Sequence, residues 1–165
     1  MVDIQTVSIA IASAGVLVAA TYYALQIRHQ TKSRRADSFW HVFSTFNTKE
    51  YYEAFVAVHS LDFVDYEDFA SKYGDYLSGK CIVNVSIDLV CDLFEGAAFL
   101  FQKGLMDYDA IAMLPVIPTW EKVKLIAEAV RKKPGFAGTW TKFENAYNEM
   151  KRREQKLQQS SVKGE

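Results

Sequence analysis

Val7-Ser-Ile-Ala-Ile-Ala-Ser-Ala-Gly-Val-Leu-Val-Ala-Ala-Thr-Tyr-Tyr-Ala-Leu-Gln-Ile27 is a run of 21 residues without a charge. As a helix it extends roughly 30 Å, the thickness of a bilayer's hydrocarbon core. Tyr22 and Tyr23 stand near its C-terminal end, where amphipathic rings favour the membrane–water boundary. Arg28, Lys32, Arg34 and Arg35 follow at once, whereas Asp3 is the only charged side chain before the run. This asymmetry predicts a single span with its N-terminus outside and the rest of the chain in the cytoplasm. A cleaved signal peptide would want a basic N-terminal region, and Asp3 stands there instead. Tyr22, Tyr23 and the four basic residues are the expected contacts with the membrane surface.

Within the run, Ser8, Ala12, Gly15 and Ala19 follow four-three-four spacing and share one helix face. Small side chains there let two backbones approach closely, so self-association through the span is expected.

The chain has 165 residues, a mean hydropathy of −0.07 and a formal charge of −1. That length suits one compact domain beside the anchor. The near-zero charge removes the electrostatic reason to expect nucleic acid as a ligand. Beyond Ile27 stand all 19 basic side chains and every acidic one except Asp3, so the remainder is formally neutral with its charges segregated. Asp62, Asp65, Glu67, Asp68 and Asp75 make an acidic window. Arg131, Lys132 and Lys133 make a basic cluster, as do Lys151, Arg152 and Arg153. Cys81 and Cys91 lack the paired spacing of a zinc site, and on one helix they would lie about 15 Å apart, beyond disulfide reach. Buried thiols in a reducing compartment account for them.

Everything after the span reads as helix. Phe39, Trp40, Phe43 and Phe46 recur at three- and four-residue spacing, continuing the span as a basic and aromatic helix over 28–46. Asn47 or Thr48 caps a helix through Tyr51, Phe55 and Val58, and a short amphipathic piece covers Tyr66 to Tyr73. Ser78 opens a long apolar helix that Gly104 stops. Asp107 caps a short helix ending before Pro115. Pro118 and Thr119 start one that Pro134 and Gly135 end. Thr139 caps the last helix, with Trp140, Phe143, Tyr147 and Met150 on one face. No period-two run persists, so no sheet is expected. The predicted class is all-α, with an anchor at 1–27, the juxtamembrane helix at 28–46, a small cytoplasmic bundle at 47–150 and a polar basic tail at 151–165 that frays or is disordered.

One string, Gly74-Asp-Tyr-Leu-Ser-Gly-Lys80-Cys81, matches G-x-x-x-x-G-K and then fails, because Cys81 stands where Ser or Thr would hold magnesium. An acidic amphipathic segment precedes it rather than a buried strand, and Asp75 would repel phosphate. It reads as a helix–turn–helix connection. His29, His41 and His59 fall at the expected membrane surface or in aromatic-rich helices, and no nucleophile elbow exists. No enzyme activity and no cofactor are expected.

Asp88, Asp92 and Glu95 occupy i, i+4 and i+7 of the long apolar helix, with Asn84 one turn above. A carboxylate row in such surroundings cannot be buried unpaired. Three readings stand open: it faces solvent, it pairs internally with Arg131, Lys133 or another base, or it binds a ligand or metal. No Glu-x-x-His element is present to support a di-metal site, and no metal is assigned.

Several stretches together resemble the membrane-anchored prokaryotic proteins grouped as the domain of unknown function 4760 family. They are SRRADSFWHVFSTFNTKEYYEAF from Ser33, DLFEGAAFLFQKGLMDYDAI from Asp92 and TWEKVKLIAEAVRKKPGFAGTWTKFENAY from Thr119. The similar elements are Phe94-Glu95, Gly104-Leu105-Met106-Asp107, Trp120, Arg131 and Phe143-Glu144. The region from Tyr51 to Tyr76 is richer in aromatics than the family's pattern. The resemblance implies an all-helical cytoplasmic domain on an anchor and brings no activity or site with it. Under it, Glu95 and Arg131 are expected to form a bidentate pair fixing two helices.

The expected function is therefore interaction: an accessory, adaptor or sensory subunit recruiting an unknown protein partner at the inner membrane face. Two alternatives remain. One is a membrane effector gated by a small signalling molecule bound to a cytoplasmic oligomer. The other is a membrane-tethered, metal-dependent enzyme using the Asp88, Asp92 and Glu95 row.

Overall fold

The computed structural model describes residues 3–162, and among them every regular element is a helix. The chain divides after Asp37 into two units, a boundary that falls inside the first helix, α1 (Ile4–Phe46).

In the first unit, the described apolar side chains of α1 between Val7 and Ile27 are all exposed. It is one helix, near the N-terminus, long and apolar enough to cross a membrane. Its hydroxyls are satisfied internally: Ser8 Oγ donates to the Ile4 carbonyl and Thr21 Oγ1 to that of Leu17, at 3.0 and 2.8 Å. Both are bonds to the carbonyl four residues back, of the kind serine and threonine make inside helices.

The second unit, from Ser38 on, contains the last turns of α1 and six further helices: α2 (Lys49–His59), α3 (Tyr66–Tyr73), α4 (Asn84–Gln102), α5 (Tyr108–Ala112), α6 (Val116–Arg131) and α7 (Thr141–Val162). Four of them close a ring. α2 packs on α4, α4 on α7, α7 on α6 and α6 back on α2.

Aromatic rings link the elements through the middle of this ring. Phe94 of α4 stacks on Phe143 of α7 with centroids 4.8 Å apart, and Trp120 of α6 meets Phe143 edge-on at 5.0 Å. Phe46 of α1 reaches Tyr51 at 4.8 Å. Aromatic pairs of this geometry each contribute about 1 kcal/mol beyond the area they bury. Ile87, Val90, Cys91, Phe94, Ala97 and Ala98 are all buried, so α4 turns a wide apolar arc inward. Ala97 and Ala98 are small enough to let neighbouring helices close in.

Local chemistry sets most boundaries. Thr48 accepts from Tyr51 N, Asp65 from Asp68 N and Asp107 from Ala110 N, each side chain capping the helix that follows. Gly104 ends α4 with φ +67°, a conformation glycine adopts without a Cβ penalty.

Four boundaries differ from the sequence reading. The long apolar helix starts at Asn84, not Ser78, because Tyr76–Ser78 form a 3₁₀ turn that Gly79 closes in the left-handed region at φ +71°. α6 starts at Val116 with Pro118 inside its first turn, where a missing N–H costs no helical bond. α7 runs on through the expected tail to Val162, and residues 163–165 lie outside the described residues. Lys151 pairs with Glu121, and Arg152 and Arg153 both pair with Glu149. Thr139 does not cap α7, because the helix starts at Thr141 and Trp140 takes the cap position; the Thr139 carbonyl accepts from Arg131 Nε at 2.8 Å. Cys81 and Cys91 are buried and unbridged.

Candidate functional site

The carboxylate row of α4 is engaged along its whole length by other parts of the domain. Asp88 Oδ1 accepts a short hydrogen bond from the Tyr76 hydroxyl. Asp92 Oδ1 accepts from the Trp140 indole N–H at 3.1 Å. Glu95 takes two donors, the Lys142 ammonium at 3.1 Å and the Phe143 backbone N–H at 2.8 Å. The row therefore pairs internally, mostly through donors that are not basic side chains. Burial, then the bond to Asp88, push the Tyr76 hydroxyl far above its ordinary value, so it donates and does not ionise.

The expected pair between Glu95 and Arg131 is absent. Arg131 lies at the end of α6, and its Nη1 meets Glu144, one turn into α7, while its Nε meets the Thr139 carbonyl. Its guanidinium also lies over the Trp120 ring, 5.5 Å from the centroid. Glu95 faces the start of α7, where free N–H groups and Lys142 offer closer positive charge. Both residues do fix helices, each with a different partner.

Trp140 immediately precedes α7 and is buried with φ +50°, in the left-handed region. For a bulky side chain this costs on the order of 1–2 kcal/mol. Its indole is held by Asp92 and by the Tyr76 ring at 6.1 Å, so the surroundings over-determine the conformation.

The Gly74–Cys81 string is the connection expected of it. Gly74 ends α3 at φ +89°, and the Asp75 carboxylate accepts from both Leu77 N and the Tyr66 hydroxyl. Burial, then the bond to Asp75, raise the Tyr66 hydroxyl to about 12, while that same bond first of all lowers Asp75.

A second constellation has no signal in sequence spacing, because its partners lie 60 residues apart. His59 Nε2 stands 3.1 Å from Thr119 Oγ1. That hydroxyl, fully buried, already donates to the Pro115 carbonyl at 2.6 Å. It has only lone pairs left, so Nε2 carries the proton and Nδ1 is the acceptor nitrogen. Burial, then the nearby Lys122 charge, lower the His59 pKa and keep the ring neutral at pH 7. Beside it lies a cleft of about 360 Å³ whose polar lining is His59, Asp62, Glu121 and Lys122. Lys122 Nζ donates to the Leu61 carbonyl at 3.0 Å. A neutral base, an ammonium and two carboxylates around one cleft suit a small polar ligand better than an apolar one.

On α1, Ser8, Ala12, Gly15 and Ala19 are all exposed, and a Cβ on Gly15 would meet no neighbouring atom within 4 Å. Tyr22, Tyr23, Arg28, Lys32, Arg34 and Arg35 are exposed on the same helix. A shallower groove of about 300 Å³, largely apolar, runs between the end of α1 and α4 past Val42, Leu93, Gly96 and Phe99. Among the described residues, no group of three or more His, Cys, Asp or Glu side chains is placed to hold a metal ion. No family model, curated protein or solved structure matches the chain, so its own residues carry the functional reading.

Proposed function

We propose that this chain is a single-span membrane protein, N-terminus outside, whose helical domain is an interaction module at the cytoplasmic face: an accessory, adaptor or sensory subunit. The observation that carries the reading is the uncharged run from Val7 to Ile27, helical with its apolar side chains turned outward and followed at once by Arg28, Lys32, Arg34 and Arg35. A helix of that composition needs an apolar solvent around it, and the basic flank sets the orientation. The small-residue face supports self-association in the bilayer. The engagement of the α4 carboxylates within the domain favours interaction over chemistry at that row.

Alkaline carbonate washing and glycosylation-site mapping test the reading. The chain is expected to stay with the membrane and to accept glycans only ahead of Val7. Release by carbonate, or glycans on the helical domain, would overturn it. Gentle extraction followed by native mass spectrometry then reports copy number and partners.

The cleft beside His59 favours one second reading, a membrane effector responsive to a small polar molecule. Dye leakage from liposomes on adding candidate signalling molecules separates it from an adaptor.

A further inference from the structure

The chain between α6 and α7 leaves Lys132, Lys133 and Phe136 exposed around the Pro134-Gly135 turn, Gly135 standing at φ +88°. Phe136 is 53% exposed although it is large and apolar. The loop is built to hold it there. Phe136 N donates to the Lys133 carbonyl, Thr139 N donates to the Phe136 carbonyl, and the base of the loop is fixed by Arg131 on Thr139 and by the buried Trp140.

The connection from α3 to α4 lies beside it. Lys133 Nζ reaches the Leu77 carbonyl at 3.4 Å, and the Tyr76 ring rests against Trp140. That connection and the first turn of α4 carry Lys80, Ile82 and Val85, with Ile82 81% and Val85 78% exposed. One end of the domain thus presents three lysines and three large apolar side chains on two adjoining segments. Two carboxylates lie close by: Asp75 accepts from Tyr66 and Leu77 and is within electrostatic reach of Lys133, and Asp88 accepts from Tyr76.

We propose that this end of the domain docks on an anionic lipid surface, with Phe136, Ile82 and Val85 entering the headgroup layer and Lys80, Lys132 and Lys133 meeting lipid phosphates. The charge is complementary to such a surface, and apolar side chains mixed among lysines match the boundary between headgroups and acyl chains. An acidic protein would meet the same lysines, but the apolar residues are spread over a loop, a connection and the start of α4 rather than along one strand or helix face that a peptide reads. The proposal rests on the reading of α1 as a span, which gives the domain a bilayer to meet.

The test compares the full chain with phosphatidylcholine vesicles and with vesicles that also contain phosphatidylglycerol, reading hydrogen exchange at Gly135, Ala137 and Gly138. Exchange there is expected to slow by at least about tenfold only with the anionic lipid, and the Lys132→Glu/Lys133→Glu variant and Phe136→Ser are each expected to abolish the slowing. Equal exchange with both vesicles, slowing that survives these variants, or slowing that rises with protein concentration in the absence of anionic lipid would each overturn the proposal. The last would point to a second copy instead. Carbonate extraction from the phosphatidylcholine vesicles reports on the span separately, so failure of α1 to insert leaves the lipid dependence of the loop readable.

Discussion

The Glu95 carboxylate accepts the Phe143 backbone N–H at 2.8 Å, across 48 residues of chain, so α4 supplies the cap that α7 lacks in its own sequence. The residue before α7 is Trp140, whose side chain is turned to Asp92 and cannot serve the first turn. Lys142, bound to the other Glu95 oxygen, keeps the carboxylate in place. Glu95→Gln retains an oxygen acceptor but loses the charge, and is expected to cost about 1 kcal/mol. Glu95→Ala loses both and should cost about 2 kcal/mol. Thermal unfolding of the two variants checks the order, and unchanged melting temperatures in both would remove the cap.

Trp140→Phe keeps most of the buried ring and deletes the indole donor to Asp92. A loss of about 1 kcal/mol is expected, with coupling of similar size in a double-mutant cycle with Asp92→Ala. Additive effects would show that the 3.1 Å contact stabilises nothing.

Because the folded-state pKa of His59 is lowered by burial and by Lys122, the folded domain favours the neutral ring. The stability this contributes is present above the unfolded value of about 6.5 and is lost as pH falls through the lower folded pKa. Wild type should therefore lose stability from about pH 6.5 downward more steeply than His59→Gln, as read by denaturant midpoints at a series of pH values. Parallel curves would contradict the lowered folded-state pKa of His59.

Two glycines should respond with opposite signs. At Gly74, φ is +89° and an added Cβ would come 2.4 Å from the Lys80 carbonyl oxygen, so Gly74→Ala should cost at least about 2 kcal/mol. Gly96 lies inside α4 with nothing within 4 Å of such a Cβ, so Gly96→Ala should stabilise by about 0.5–1 kcal/mol. Denaturant midpoints of the two variants decide this.

Helix order, two caps and the aromatic face of α7 were legible because they depend on neighbours within one or two turns. Asp107 and Thr48 announce their helices locally, whereas the Asp65 cap of α3 went unread among its acidic neighbours. The carboxylate row was visible as a row, and its need for partners followed from the apolar residues around it. Which partners it takes was not, since Tyr76, Trp140 and Phe143 reach α4 only through the ring of helices. The same limit misplaced the Glu95 partner and hid His59–Thr119. Thr139 has the chemistry of a cap, but the left-handed Trp140 takes the cap position in its place, one residue further along the chain.

The ring of helices also sets a timetable. A ribosome delivers α1 first and α7 last, yet the stack of Phe94 on Phe143 and every named donor to Asp92 and Glu95 come from residues at or after Trp140. While those residues are still being made, Phe94 lacks its stack on Phe143, and Asp92 and Glu95 lack these donors. On the proposed reading of α1 as a span, the apolar N-terminal segment has emerged before the ring can close. A nascent chain arrested before Trp140 would, on that reading, be anchored while its helical ring stayed open.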